Sequence, residues 1–240
     1  MKIIEAYWEK RNLNVNAIEI SVENELDFEN IKHLYLEKYQ YVVIKLPVKL
    51  TMLIFKLQEI QYKFVELLNY CNFDSEVPEL PSIEKRFLNH LKYEILENKD
   101  LEIVYKYIDE MMFNTDRISL DPVFGIQKAA NRYKGFLTDL LSKDIKLFGI
   151  YFKNEISGFF TIRKESNSIY VSDLAGIFPE YKNKGLGIFL NYFEILVTKG
   201  FGGKTLKTVY SSNNFGAANI HQNLGFKIYK QEYIFVKHNK

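Results

Sequence analysis

The run Ile177-Phe178-Pro179-Glu180-Tyr181-Lys182-Asn183-Lys184-Gly185-Leu186-Gly187-Ile188 decides how this chain folds. An apolar, strand-like segment ends at Ile177, a basic turn holding Gly185 and Gly187 follows, and an apolar helical pattern begins behind it. The first turn of a helix presents backbone N–H groups without intrahelical partners, and the peptide dipoles add partial positive charge there, so a turn of this kind suits a phosphate or pyrophosphate. Spacing excludes two nucleotide motifs. Ile188-Phe189 follows Gly187 where a P-loop needs Lys-Ser/Thr, and Leu190 stands where the dinucleotide fingerprint needs a third small residue.

Working outward, Lys146 to Phe152 and Glu155 to Arg163 alternate as strands joined by a Lys153-Asn154 hairpin, and Ser168 to Ile177 reads as one central strand. Behind the turn, Ile188, Phe189, Tyr192, Phe193, Ile195 and Leu196 give a broad helical face, which Gly200, Gly202 and Gly203 end. Leu206 to Tyr210 then reads as a strand parallel to the central one, by the usual right-handed crossover. Upstream, the pattern predicts a strand at Leu91 to Leu96, a helix carrying Leu101, Val104, Tyr105, Ile108 and Met112, and a second carrying Ile126, Ala129, Ala130, Tyr133 and Phe136. The fold class is α/β, an α+β mixed sheet.

The quoted run resembles the acetyl-coenzyme A loop of the GNAT superfamily of N-acetyltransferases, whose turn has the form Pro-x-Tyr-Arg-Gly-Lys-Gly-x-Gly. Pro179, Tyr181, Lys184, Gly185 and Gly187 match it position by position, whereas Lys182 replaces Arg or Gln and Asn183 replaces Gly. Lys keeps the charge at 182 and loses the planar fork. A second stretch, Asn214 to Phe226, resembles the family's Asn-x-x-Ala-x-x-x-Tyr-x-x-x-Gly-Phe: Asn214, Ala217, Gly225 and Phe226 match, and His221 takes the Tyr position. The resemblance covers Leu91 to Phe235. It implies an acyl-CoA N-acyltransferase fold and acetyl-CoA as cosubstrate. The cofactor pyrophosphate would be held by Lys182, Asn183, Lys184, Gly185, Leu186, Gly187 and Ile188, the thioester carbonyl would meet the Ile177 N–H, and the pantetheine arm would lie against Asn214 and Ala217. Asn214 also suits a helix cap. His221 is either the proton donor to the departing thiolate or a packed ring. Asp173, four residues before Ile177 and so on the same strand face, is either the base toward the acceptor amine or paired with a nearby Lys or Tyr.

In the first third, residues 15 to 22 read as a strand, Asp27 caps a helix carrying Ile31, Leu34, Tyr35 and Tyr39, Tyr41 to Leu46 is a β-branched strand, Leu50 to Ile60 has helical spacing, and Tyr62 to Leu68 is another strand. This β-α-β-α-β order is expected to build a small α/β unit by itself. Asp74, Ser75, Pro78 and Pro81 mark a linker, giving an N-terminal domain over 1–82 and a GNAT domain over 83–240. Trp8-Glu9, the Lys-x-Pro strand end and Tyr-Lys-Phe-Val-Glu are similar to the N-terminal domain of the acetyltransferases related to dTDP-fucosamine acetyltransferase. Arg117 suits an anionic substrate group or, preferentially, a local pair with Asp116 or Asp121.

The chain of 240 residues is 47% hydrophobic with a formal net charge of +2, so composition favours neither nucleic acid nor an anionic membrane as partner. One cysteine, Cys71, precludes an internal disulfide, and the four histidines are too scattered for zinc spacing, so no metal is expected. No signal peptide or membrane span is read, which fits the cytoplasm. The expected reaction is acetyl transfer from acetyl-CoA to a small-molecule primary amine, in finer form a nucleotide-linked amino sugar. Peptide N-acetylation and acyl-CoA binding without turnover stay open, as does a homodimer.

Overall fold

The β-branched and aromatic run Tyr41-Val42-Val43-Ile44 lies inside the sheet, completely buried on both faces. The computed structural model describes residues 1–143 and 145–239. In chain order the elements are β1 (Lys2–Glu5), α1 (Tyr7–Leu13), β2 (Ala17–Ser21), α2 (Asp27–His33), β3 (Tyr41–Pro47), α3 (Met52–Glu59) and β4 (Lys63–Phe73). After a proline-bearing loop come α4 (Ser82–Leu88), β5 (Leu91–Ile95), α5 (Leu101–Asp109), α6 (Gly125–Leu141), β6 (Lys146–Phe152), β7 (Glu155–Lys164), β8 (Ile169–Val171) and β9 (Ala175–Ile177). The chain ends with α7 (Leu186–Gly200), β10 (Thr205–Ser211), α8 (Phe215–Asn223) and β11 (Lys227–His238).

All the strands share one mixed sheet, ordered β1-β2-β3-β11-β4-β10-β8-β7-β6-β5, with β9 paired to β7 beside that path. β2 runs parallel to β3, and β8 parallel to β10, as right-handed crossovers require. The order contains an internal repeat. Exchanging β1 with β7, β2 with β8, β3 with β10 and β4 with β11 leaves the neighbours and their directions unchanged. After a first strand, β1 or β7, each half runs strand, helix, strand, helix, strand, with β9 added in the second, and each lends its last strand to the other: β4 lies beside β10, and β11 beside β3.

This exchange corrects the expectation of a self-contained N-terminal unit. The strand read as Tyr62 to Leu68 continues to Phe73, and its far half pairs with β10 from beyond Ser82. Strands from both sides of that position are thus interleaved. α2 stops at His33, short of Tyr35 and Tyr39, and α1, α4 and β11 escaped the sequence reading. β11 carries Lys230, Gln231 and Glu232 mid-strand, which breaks its apolar alternation until Ile234, Phe235 and Val236 reach the core.

Apolar side chains cover both faces. Phe28 and Ile31 of α2 with Leu53 and Leu57 of α3 pack on Ile18, Ile20, Val42, Ile44 and Phe235, while the opposite face of β3 buries Tyr41 and Val43 against Leu13, Ile118, Phe124 and Ala129. Around α7, a larger core joins Phe148, Phe159, Phe160, Phe178, Phe189 and Phe193.

Candidate functional site

The single strand expected from Ser168 to Ile177 is broken. Ser172 still donates its N–H to the Lys207 carbonyl at 3.0 Å, after which β9 turns away from β10 and pairs with β7 alone. The two parallel strands therefore splay. Phe178 donates to Ser157 at 2.9 Å and Leu174 accepts from Thr161 at 2.9 Å, so residues 174, 176 and 178 direct their backbone polar groups to β7. Backbone direction alternates along a strand, which turns the Ala175 and Ile177 N–H groups into the gap, as the motif resemblance implied for Ile177.

Beyond β9, Pro179–Tyr181 forms one 3₁₀ turn, and the chain then reverses through Asn183 (φ 65°) and Gly185 (φ 74°), both left-handed. Asn tolerates that region better than most side chains, which explains its substitution for Gly. Leu186 is buried and anchors the start of α7, whose first turn has no side-chain cap. Its amides are left for a ligand. Gly187 sits where a Cβ would come within 2.6 Å of Ile220 Cδ1, so the α7 start closes directly on α8, and Ile188 is half-buried beside it. The two lysines are already engaged: Lys182 Nζ donates to the Met112 carbonyl at 3.1 Å, and Lys184 Nζ lies 4.5 Å from the Tyr181 ring centroid. Backbone donors, not ammonium groups, dominate this cradle. Uncapped amides together with an outward strand N–H fit a pyrophosphate and a thioester carbonyl.

Across the gap, Asn214 Oδ1 accepts the Ala217 N–H at 3.0 Å and caps α8, leaving its side-chain NH₂ free of this bond. His221 faces inward. Its Nδ1 is 2.8 Å from the Ala217 carbonyl, which can only accept, so the proton resides there and Nε2 accepts from the Thr208 hydroxyl at 2.7 Å. Burial among Tyr210 and Phe226 lowers its pKa, against the opposing bond to Ala217. Both ring nitrogens are thus occupied, and acting as a proton donor would break a bond inside the helix. Asp173, in the break between β8 and β9, is gripped by Arg163 through Nε at 2.5 Å and Nη2 at 3.1 Å. It is paired, but with Arg163 and not with the Lys or Tyr expected.

The charge cluster that sequence reasoning did not assemble lies beneath α6. Arg117 pairs with neither Asp116 nor Asp121: its Nη2 donates to Glu9 at 2.6 Å and to Glu19 at 2.8 Å. Arg132 Nε binds both Glu9 oxygens at 3.0 and 2.9 Å, and Lys45 reaches Glu19 at 2.7 Å. Glu9 is fully buried. Burial opposes the Arg117 charge, but Glu19 and Glu9 outweigh it and hold the guanidinium charged. Conversely, burial alone would raise Glu19, and Arg117 and Lys45 pull it below its usual range. A cavity of about 360 Å³ opens beside this cluster, walled by Trp8, Phe136 and Leu140 together with Lys45, Arg117 and Arg132. The carboxylates that meet Arg117 and Arg132 lie more than ninety residues away from them in sequence and gave no local signal.

No family model matches the chain, and no curated protein matches it. Solved structures do. A GCN5-related N-acetyltransferase from Sphaerobacter thermophilus superposes with TM-score 0.66 at 11% identity, covering 100% of this chain and 76% of the other. A functionally unknown conserved protein from Staphylococcus epidermidis gives TM-score 0.62 at 15% identity, covering 94% and 85%. A GCN5-related N-acetyltransferase from Kribbella flavida gives 0.56 at 12%, covering 92% and 81%. At these identities the likeness establishes the fold, which is that of the GCN5-related N-acetyltransferases.

Proposed function

We propose that this protein transfers an acetyl group from acetyl-CoA to the primary amine of a small molecule, by direct transfer between two bound substrates. One observation carries the reading: the splay of β9 from β10 puts an unpaired Ile177 N–H beside the uncapped first turn of α7. The α7 amides would hold the pyrophosphate, with the helix dipole adding to them. The Ile177 N–H would polarise the thioester carbonyl, a donor worth roughly 10²- to 10³-fold when aimed at developing oxyanion charge. Asn214 and Ala217 would guide the pantetheine arm. The amine nitrogen then attacks the carbonyl carbon, the C–N bond forms, the C–S bond breaks, and CoA leaves as a thiolate that takes up a proton.

A nucleotide-linked amino sugar is the finer form of the acceptor. It is supported by the sequence similarity of the first third and by the Trp8-walled, cation-bearing cavity there. A second reading, acyl-CoA binding without turnover, is favoured by the engaged state of His221 and Asp173.

Thiol release from acetyl-CoA over a panel of amino sugars, simple amines and peptides separates these readings, run beside Gly187→Glu. A side chain at 187 is directed onto Ile220 of α8, so it forces the α7 start away from α8 and brings negative charge to the cradle, and acetyl-CoA affinity should fall at least ~100-fold, about 2.7 kcal/mol. Unchanged affinity in a variant with a parental melting temperature would place the cofactor elsewhere. Tight binding with no thiol released by any amine would select the binding-only reading.

A further inference from the structure

Two carboxylates at the mouth of the gap each keep an oxygen with no partner. Glu66, on β4, is 3% exposed; one oxygen accepts the Arg117 N–H at 3.2 Å, and Oε2 has no hydrogen-bond partner among the described residues. Asp116 Oδ1 accepts from the N–H groups of Ile118 at 2.8 Å and Ser119 at 3.4 Å, while its buried Oδ2 is equally unmatched. The Ser211 hydroxyl approaches Glu66 and the Tyr133 phenol approaches Asp116, but neither brings positive charge, and Arg117 spends Nη2 on Glu9 and Glu19. Two neighbouring buried carboxylates that lack a cation of their own are costly and in native structures have a reason.

Their position supplies one. The segment from Met112 to Arg117 bridges the gap. At its first end, Met112 and Phe113 lie over β9, where a Cβ on Gly176 would come within 2.6 Å of Met112 Cε and 3.0 Å of Phe113 Cε1. At its second end, Asn213 Nδ2 reaches the carbonyls of both Thr115 and Val65 at 3.4 Å. Those carbonyls immediately precede Asp116 and Glu66, and Asn213 immediately precedes the α8 cap. Glu66 and Asp116 are therefore held beside the start of α8, at one end of a segment whose other end lies over β9. Complementary to two such acceptors is a compact group with several N–H donors, a primary ammonium.

Resting on the acetyl-transfer reading, we propose that Glu66 and Asp116 form the acceptor's ammonium site and that Glu66 Oε2 takes the proton that frees the amine. The ammonium donates to Oε2 and Oδ2, one N–H proton passes to Glu66, the nitrogen lone pair attacks the thioester carbon, and Glu66 later loses that proton to solvent. The groups facing Glu66 are Arg117, Asp116, the Ser211 hydroxyl and the Tyr133 phenol. Burial, with Asp116, pushes the Glu66 carboxyl above its ordinary range against the pull of Ser211 and Arg117, and so raises its basicity. Tyr133 is kept protonated by burial and by Asp116. The base thus comes from the exchanged strand β4, outside the stretch covered by the motif resemblance.

Ethylammonium is the probe, followed by saturation-transfer NMR with and without CoA, and as substrate by thiol release from acetyl-CoA. Wild type should bind it, and Glu66→Gln and Asp116→Asn should each weaken binding at least ~10-fold while leaving CoA affinity unchanged. Where turnover is measurable, Glu66→Gln should lower kcat/KM by ~10²- to 10⁴-fold at neutral pH and flatten the acid limb of its pH profile. Absence of ethylammonium binding by wild type, or binding undiminished in both variants, overturns the inference. Failure of wild type to bind CoA overturns the acetyl-transfer reading instead, and the ammonium binding measured without CoA still decides the site. Asp116→Asn, on a loop, serves if Glu66→Gln does not fold.

Discussion

The turn between β2 and α2 and the turn between β9 and α7 occupy equivalent places in the two halves of the repeat, and they have opposite electrostatics. In the first, Asp27 accepts the N–H groups of Glu23 at 2.8 Å and Asn24 at 3.3 Å, Asn24 accepts that of Leu26 at 3.0 Å, and the segment carries Glu23, Glu25 and Asp27. Side chains consume the loop's donors and add negative charge, while the Asn24 and Glu25 carbonyls take the Asp27 and Phe28 amides at the start of α2, so Asp27 serves the loop and is not the side-chain cap expected for that helix. In the second, Lys and Gly replace the acidic residues, and no side chain caps the helix start. The strands differ likewise: β2 and β3 pair over Ala17–Ser21, and Val22 extends the pairing to Lys45 at 2.9 Å, whereas β9 leaves β10. One chain path therefore yields a closed turn or an anion cradle according to what satisfies its amides.

The largest effect expected on this contrast comes from the buried charge under the first half. Arg117→Ala leaves Glu9 and Glu19 without their shared cation and should cost about 3–5 kcal/mol in denaturant unfolding, with CoA affinity retained in the folded fraction. A loss under ~1 kcal/mol would mean that the cluster is not integral to the fold.

α7 hides a smaller counterpart. Burial pushes the Glu194 carboxyl up from 4.5 to about 7, although Ser172 and Asn191 hydrogen-bond to it at 2.6 Å. A folded-state pKa above the unfolded one favours the protonated form. Its stabilisation is therefore complete below about pH 4.5 and lost as pH rises through about 7. Glu194→Gln, which can donate to Ser172 and accept from Asn191, should remove that slope and stabilise the protein by about 3 kcal/mol at pH 8. Parallel stability–pH curves for parent and variant would refute this account.

The smallest effect tests the closed turn. Asp27→Ala frees two amides and should cost about 1 kcal/mol without creating a second CoA site. Equilibrium dialysis giving more than one CoA per chain would mean that satisfied donors are not what separates the halves.

The parts of the molecule that were legible in the sequence are those whose signal is local. The Lys153-Asn154 hairpin, with φ of 52° and 69°, α7, β10 and the turn at Gly185 all follow from spacing of nearby residues. His221 was identifiable as standing at the motif's Tyr position, but its burial and its two hydrogen bonds depend on Thr208 and on the path of α8. Arg117 was visible as a guanidinium in a polar loop, and local pairing was the wrong expectation because Glu9 and Glu19 arrive from elements about a hundred residues away. Glu66 entered the sequence reading only as the last residue of the Tyr-Lys-Phe-Val-Glu stretch, with no role attached, because it stands in a strand whose neighbours are set by the exchange with β11.

By itself, the sequence determined the mixed α/β class and the strand-turn-helix passage around Gly185, since turn chemistry and periodicity are properties of contiguous chain. Only the tertiary structure decided which strand follows β10, that the two halves exchange their last strands, and which charges face each other beneath α6. Those outcomes depend on long-range pairing and on burial, where a carboxylate's partner is whatever the fold delivers to it.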